Sequence, residues 1–155
     1  MYHMVQILLY RLVQILIRLI LVCLEASMRA REIALLLGFG LVFWIAGTLW
    51  YEWRGPHVFE TTPTRYWANF VVTPIVTTAI CMLILRWRHI PAAQWSAAML
   101  LVALPGMLGE ALLLSNFSTL MPRMQETSAG KYGAFLFAAY ALALGIAEIV
   151  TLRAS

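Results

Sequence analysis

The stretch AAQWSAAMLLVALPGMLGEALLLS, residues 92–115, decides the fold because it is long enough to cross a bilayer as a single helix. A membrane-spanning helix needs about 20 predominantly apolar residues. This stretch carries one charged residue, Glu110. Lipid offers no hydrogen-bond partner to backbone N–H and C=O groups, so a segment of this kind must be helical.

Three further stretches of the chain share this character. We predict an all-α integral membrane four-helix bundle over residues 28–155, with spans at about 33–50, 66–85, 92–115 and 132–152. The chain is 63% hydrophobic and only 12% charged, and its mean hydropathy is +0.83. A water-soluble domain carries about one quarter charged residues. The composition therefore excludes a soluble globular protein and makes the lipid bilayer the first expected partner.

Residues 1–27, MYHMVQILLYRLVQILIRLILVCLEAS, predict an N-terminal amphipathic helix. A central arginine costs about 2.5–3.5 kcal/mol on insertion scales, so Arg11 and Arg18 argue against a fifth span. The polar side chains fall on one stripe of about 100° of a helix. Such a helix lies in the headgroup plane or docks its apolar side on a partner. A fifth span and a dispensable extension ahead of Met28 are the alternatives.

The positions of the basic residues predict the orientation, because short cytoplasmic loops are enriched in Lys and Arg. One side of the bundle receives five of them: Arg29, Arg31, Arg86, Arg88 and Arg153. Arg11 and Arg18 raise this number to seven if residues 1–27 stay on the same side. The opposite side receives four: Arg54, Arg65, Arg123 and Lys131. We therefore expect both termini in the cytoplasm. The formal charge of +4 is interpreted as orientation, and no nucleic-acid partner is expected.

Tryptophans mark the expected membrane interfaces, where amphipathic rings concentrate. The predicted interface anchors are Trp50, Trp53 and Trp67 on one side and Trp87 and Trp95 on the other. Between the first two spans, the stretch EWRGPHVFETTPTR (residues 52–65) contains Gly55, Pro56 and Pro63. Glycine and proline are the strongest turn signals, so this connection is predicted to be turns and not helix.

Glu110 is the most informative polar residue of the chain. It lies six residues before Asn116, about 9 Å of helix from that end of the span. Pro105 predicts a bend, because it cannot donate to the carbonyl one turn earlier. Gly106 and Gly109 remove bulk and allow a neighbouring helix to approach closely. Ionisable residues within spans are functional hypotheses by default, although an acid at this depth also serves as a helix-locking hydrogen bond.

A polar stripe on the second span is the predicted partner of Glu110. It consists of Asn69, Thr73 and Thr77, which repeat every four residues. Pro74 interrupts the same helix and is predicted to kink it. Lesser candidate partners for the acid are Thr48 on the first span and Tyr132 or Tyr140 on the fourth.

No catalytic, cofactor-binding or metal-binding residue is assigned. His57 and Glu60 have an H-x-x-E spacing, but catalytic zinc needs three convergent ligands. No Walker motif, C-x-x-C or G-x-S-x-G sequence occurs in the chain. The sequence therefore predicts neither an enzyme nor a cofactor protein.

Several short motifs stand out: LPGMLGEALLL (residues 104–114), then Phe117, Pro122 and GKYGAFLFAAYALAL (residues 130–144), with IAGTLWYEW (residues 45–53) at the end of the first span. With these motifs the chain resembles a family of small bacterial four-transmembrane-helix proteins of unknown function. The resemblance covers residues 28–152. It implies a four-helix fold in the bacterial cytoplasmic (inner) membrane, and it brings no activity, cofactor or assigned site.

Three functions follow as hypotheses. The first is a non-catalytic multi-pass protein that acts through helix–helix contacts, as an accessory subunit of a larger membrane complex with protein partners. The second is a small proton- or ion-coupled transporter that uses Glu110. The third, an enzyme acting on lipid, lacks a visible nucleophile.

Overall fold

The described part of the chain is built from long helices. The structure is a computed structural model that describes residues 28–154; residues 1–27, on which the predicted amphipathic helix falls, and residue 155 lie outside the described residues. Residues 28–154 form no strand. The α-helices are α1 (Ala30–Phe59), α2 (Pro63–Trp87), α3 (Trp95–Ser115), the one-turn α4 (Phe117–Leu120) and α5 (Ala129–Ala154). Short 3-10 turns at Ala92–Gln94 and Glu126–Ser128 precede α3 and α5.

Four of these helical segments are long and apolar enough to cross a membrane: α1, α2, α3 with its preceding turn, and α5 with its preceding turn. The prediction of an all-α architecture with four spans is therefore confirmed. The chain divides into a unit of residues 1–34 and a unit of residues 35–155. Every contact described below lies within the second unit.

The prediction of turns across residues 52–65 is wrong except at residues 60–62, because α1 continues through Gly55 and Pro56 to Phe59 and α2 begins at Pro63. Gly55 is buried, and a Cβ at this position would collide with the thioether of Met124. Its small size thus serves packing and not a turn. Pro56 removes one helical hydrogen bond, but Glu60 N still donates to Pro56 O (3.1 Å), which closes the last turn.

Pro63 begins α2 instead of interrupting a loop. The first turn of a helix tolerates proline because its missing N–H would have no intrahelical acceptor there. Thr62 caps the helix: its backbone is extended and its hydroxyl accepts a hydrogen bond from Arg65 N (3.4 Å). The connection between α1 and α2 is consequently only residues 60–62.

The helix assignment runs without a break through both predicted kink positions, Pro74 in α2 and Pro105 in α3. Near the first of them, the Thr77 hydroxyl donates to the carbonyl oxygens of Thr73 (2.9 Å) and Pro74 (3.1 Å). A bend of the helix axis at either proline stays a prediction.

Three glycines let α1, α3 and α5 approach one another. A Cβ on Gly40 of α1 would collide with the backbone carbonyl of Val102 in α3. A Cβ on Gly109 would collide with the indole of Trp44, and one on Gly106 with the hydroxyl of Tyr140. Small residues at such seams are how membrane helices gain close van der Waals packing.

An aromatic and methionine cluster closes one end of the bundle. Its buried members are Tyr51, Phe59, Leu113, Phe117, Met121, Met124, Tyr132 and Phe135. Glu60 ties the neighbouring connections together, since its Oε1 accepts hydrogen bonds from Gln125 N (2.6 Å) and Ser128 Oγ (3.0 Å). The bundle is therefore fixed at the end where α1 meets α2 and α3 leads into α5.

The opposite end is held by hydrogen bonds around the start of α3. Ser96 N donates to Thr151 Oγ1 of α5 (2.9 Å). Trp95 is half-buried, with its indole N–H donating to Ile90 O (2.8 Å). The other four predicted anchors are exposed: Trp50, Trp53, Trp67 and Trp87. Exposure suits an interface anchor, and that role stays a prediction.

Candidate intramembrane binding site

A cavity of about 350 Å³ lies among the helices α1, α2, α3 and α5. This volume falls within the roughly 300–1,000 Å³ typical of small-molecule sites. Each of the four helices contributes to its wall, for example Trp44, Thr77, Val102 and Tyr140. Protein interiors are otherwise close-packed, with few voids larger than a water molecule. A cavity of this size among four apolar helices is therefore the first candidate for a binding site.

Glu110 is the carboxylate on the cavity wall. Its side chain is only 6% exposed, although the helices around it are strongly apolar. Tyr132 of α5 donates its hydroxyl to Glu110 Oε1 (3.2 Å). The second oxygen, Oε2, has no hydrogen-bond partner among the described residues. A buried polar atom without a partner is costly, so it calls for a ligand, a water molecule or an ion.

That Glu110 faces the second-span stripe stays a prediction, and the hydrogen bond to the acid comes from one of the lesser candidates, Tyr132. Thr73 and Thr77 line the same cavity. Asn69 Oδ1 accepts from Tyr51 (3.0 Å) and from Thr73 (2.9 Å). Asn69 Oδ1 is therefore engaged by α1 and by its own helix, whereas Asn69 Nδ2 has no partner among the described residues.

Residues on α1 complete the site and were only partly recognised in the sequence. Gly40, Trp44, Gly47, Thr48 and Tyr51 all line the cavity. Gly40, Trp44, Gly47 and Tyr51 recur at intervals of three and four, which places them on one face of a helix, and Thr48 adjoins Gly47. That spacing is the signal from which the α1 wall could have been predicted.

Two hydrogen-bonding groups on this wall also lack partners. They are the indole Nε1 of Trp44 and the hydroxyl of Thr48, both buried and without a partner at full hydrogen-bond geometry. The Trp44 indole nevertheless lies close enough to Glu110 to interact with its carboxyl group. Together with Glu110 Oε2, they give the cavity one strong acceptor and two further polar contacts.

Most of the remaining wall is apolar and aromatic. The aromatic lining residues are Phe43, Trp44, Trp50, Tyr51, Tyr132, Phe135 and Tyr140. Tyr51 and Phe135 pack edge to face with 5.3 Å between ring centroids, and Tyr51 and Tyr132 do so at 5.8 Å. These rings belong to the cluster that closes one end of the bundle.

The cavity reaches the outer surface of the bundle beside α1. Trp50 lines it and is 54% exposed, and the neighbouring wall residue Ala46 is exposed as well. The wall of the cavity is therefore open to the surface of the bundle on the side of α1.

The ionisable groups on the wall determine what the cavity can hold. Besides Glu110, the lining residues with a titratable side chain are Tyr51, Cys81, Tyr132 and Tyr140. None of the described wall residues is Arg, Lys or His. When ionised, Glu110 therefore lacks a protein counter-charge on the wall of the cavity. The arrangement suits reversible binding of a proton or a cation at one carboxylate.

Within residues 28–154, no group of three His, Cys, Asp or Glu side chains is placed to hold a metal ion. His57 lies in the last turn of α1, and Glu60 is engaged with Gln125 and Ser128. The two residues of the H-x-x-E spacing therefore belong to the closed end of the bundle.

Comparison with known proteins gives one family. The sequence profile of a family of unknown function (DUF5367) matches residues 58–154, which begin near the end of α1 and include α2, α3 and α5. Glu110 and Tyr132 lie inside the match, whereas Trp44 and Thr48 precede it. No curated protein and no solved structure gives a significant match. Because the matched segment covers more than half of the chain, this four-span protein belongs to the family of unknown function (DUF5367).

Proposed function

We propose that this protein is a small carrier that takes a solute into the cavity between its four helices and exchanges it for a proton at Glu110. The observation that supports this function is the buried carboxylate with one oxygen unpartnered, facing a cavity of ligand size. A carboxylate needed only to lock helices would be expected to satisfy both oxygens with neighbouring side chains.

The exchange follows from the single carboxyl on the described wall. When Glu110 is protonated, its carboxyl group is neutral and needs no counter-charge in the cavity. When the proton leaves, the carboxylate needs a cationic partner, because an isolated charge is expensive to bury. A carrier of this kind binds either the proton or its solute and performs no covalent chemistry, so the proposal assigns no enzymatic activity.

Proton-linked transport tests the proposal across several classes of solute at once. Purified full-length protein in liposomes that contain a pH-sensitive dye would be given permanently charged cationic, anionic and neutral aromatic solutes. We expect at least one class to drive proton movement. The Glu110→Gln variant should reduce this solute-dependent proton flux about tenfold or more, since it keeps the shape of the side chain but removes the exchangeable proton.

Glu148→Gln is the matched control, because Glu148 is also a glutamate within a long helix but is exposed and does not line the cavity. Its flux should equal that of the unmodified protein. Unchanged flux in Glu110→Gln, or the absence of proton movement with every solute class, would overturn the carrier proposal.

A second candidate function is that of an accessory subunit in a larger membrane complex. The observation that favours it is the wide apolar face of α1, whose side chains Leu41, Val42, Ile45 and Leu49 are exposed. Such a face packs against lipid or against a partner helix. Purification in mild detergent should then yield one stoichiometric partner; a chain that is always isolated alone would argue against this function.

The proposed location is the cytoplasmic membrane of a bacterium, with both termini on the cytoplasmic side. The support is the distribution of arginine between the loops and the resemblance of the helical body to small bacterial membrane proteins. Labelling of single cysteines placed at Ser118 and His89 with a membrane-impermeant reagent tests it. The first should react from outside the cell and the second should not.

A further inference from the structure

We infer that the ligand of the cavity is a hydrophobic monovalent organic cation, held between Glu110 and the surrounding aromatic rings. This inference deepens the proposed function and rests on it.

An anion would meet the wrong charge. Glu110 is the acid on the wall, and no described lining residue is Arg, Lys or His. Bringing a second negative charge next to a buried carboxylate without a counter-ion is costly. The faces of the aromatic rings are also negative and disfavour an anion.

A neutral hydrocarbon would fit the apolar wall but would leave the polar atoms as they are. Glu110 Oε2 would still have no partner. Desolvated polar groups that stay unpaired when a ligand binds reduce its affinity. Such a solute therefore gains nothing from Glu110.

An organic cation satisfies both parts of the wall at once. Its charge pairs with Glu110 Oε2, and its apolar body contacts rings such as Trp44 and Tyr140 that line the same space. Cations over aromatic faces are attracted by the ring quadrupole, most strongly where water is excluded. The cavity volume of about 350 Å³ is near the lower limit of typical ligand sites, which favours a compact cation over an extended one.

A single carboxylate also sets the charge of the ligand and the ratio in which ligand and proton exchange. One monovalent cation neutralises Glu110, whereas a divalent cation would carry an uncompensated charge into an apolar cavity. Binding of the cation to the protonated side chain releases one proton, so that cation and proton exchange one for one and no net charge moves.

An isosteric pair of probes tests the inference. The cation is 1-naphthylmethyl-trimethylammonium, and the neutral probe is 1-neopentylnaphthalene, in which carbon replaces the charged nitrogen. 1-Naphthylacetate serves as the anion. Binding of each to detergent-purified full-length protein would be measured by equilibrium dialysis against protein-free micelles, with Glu110→Gln and Glu148→Gln as the two variants.

We expect the cation to bind the unmodified protein and the Glu148→Gln variant alike, and the Glu110→Gln variant about tenfold or more weakly. The neutral probe should show no preference among the three proteins. Equal binding of the cation to the unmodified protein and to Glu110→Gln would overturn the cation assignment.

The failure of this inference differs from the failure of the carrier function. If the anion or the neutral probe binds in the cavity and drives proton flux while the cation does not, the carrier function stands and its ligand class is wrong. If no probe binds and no solute class moves protons, both fail. A Gly47→Phe variant, which places a ring in the cavity, shows whether a bound probe occupies that space.

Discussion

Gly40→Ala is expected to destabilise the protein by about 2–3 kcal/mol, the upper part of the range for overpacking. A single added Cβ would overlap the carbonyl oxygen of Val102. Because that obstacle is backbone and belongs to α3, it cannot rotate away as a side chain would. The helices α1 and α3 must therefore separate, and Trp44, one turn further along α1, would lose its place against Gly109.

Gly38→Ala is the matched control, two residues earlier on the same helix. A Cβ there meets nothing within 4 Å, and alanine is favoured over glycine in helices by roughly 0.5–1 kcal/mol. The two substitutions should thus change the free energy of unfolding in opposite directions. Unfolding by SDS titration, followed by tryptophan fluorescence, measures both. Equal stability of the two variants would show that α1 does not dock on α3 at Gly40.

Gly47→Phe is expected to abolish ligand binding and solute-driven proton flux while leaving the protein folded. Gly47 lines the cavity, and a Cβ at this position meets nothing within 4 Å. The new ring therefore has open space to enter, and it would fill part of a cavity of about 350 Å³. Loss of the space removes binding of every solute class, in contrast to Glu110→Gln, which should remove only charge-dependent binding.

Gly38→Phe controls for the general effect of a large side chain on α1. Gly38 is exposed and does not line the cavity, so this variant should retain binding and flux. Thermal unfolding of both variants in detergent separates a filled cavity from a misfolded protein. Full activity in a folded Gly47→Phe variant would mean that the solute binds elsewhere.

The number of spans followed from the sequence because it depends on length and apolarity alone. Gly55 and Pro56 show where that reasoning fails. They are turn signals when considered locally, but the structure continues α1 through them and uses the small size of Gly55 against Met124. Contacts with a loop that follows two further spans cannot be inferred from local propensity.

The candidate site shows the same division between local and long-range information. That Glu110 would be a polar residue in an apolar helix notched by glycines depended only on its neighbours in sequence. Its partner depended on how the four helices are arranged around one another, and depth along a helix does not determine this. Judged by depth in the membrane alone, Tyr132 and the stripe of Asn69, Thr73 and Thr77 were both plausible partners of Glu110. Only the packing of α5 against α3 places the Tyr132 hydroxyl 3.2 Å from Glu110 Oε1.

The most direct test of a solute-accessible Glu110 is covalent labelling of its carboxyl group from the cavity. Dicyclohexylcarbodiimide, a lipophilic reagent that modifies carboxyl groups in apolar surroundings, would be applied to the protein in liposomes, and the modified residues would be located by peptide mass spectrometry. We predict that Glu110 is labelled and that 1-naphthylmethyl-trimethylammonium protects it, while labelling of the exposed Glu148 is unaffected by the cation. No labelling of Glu110, or equal labelling with and without the cation, would contradict a solute-accessible carboxylate inside the bundle.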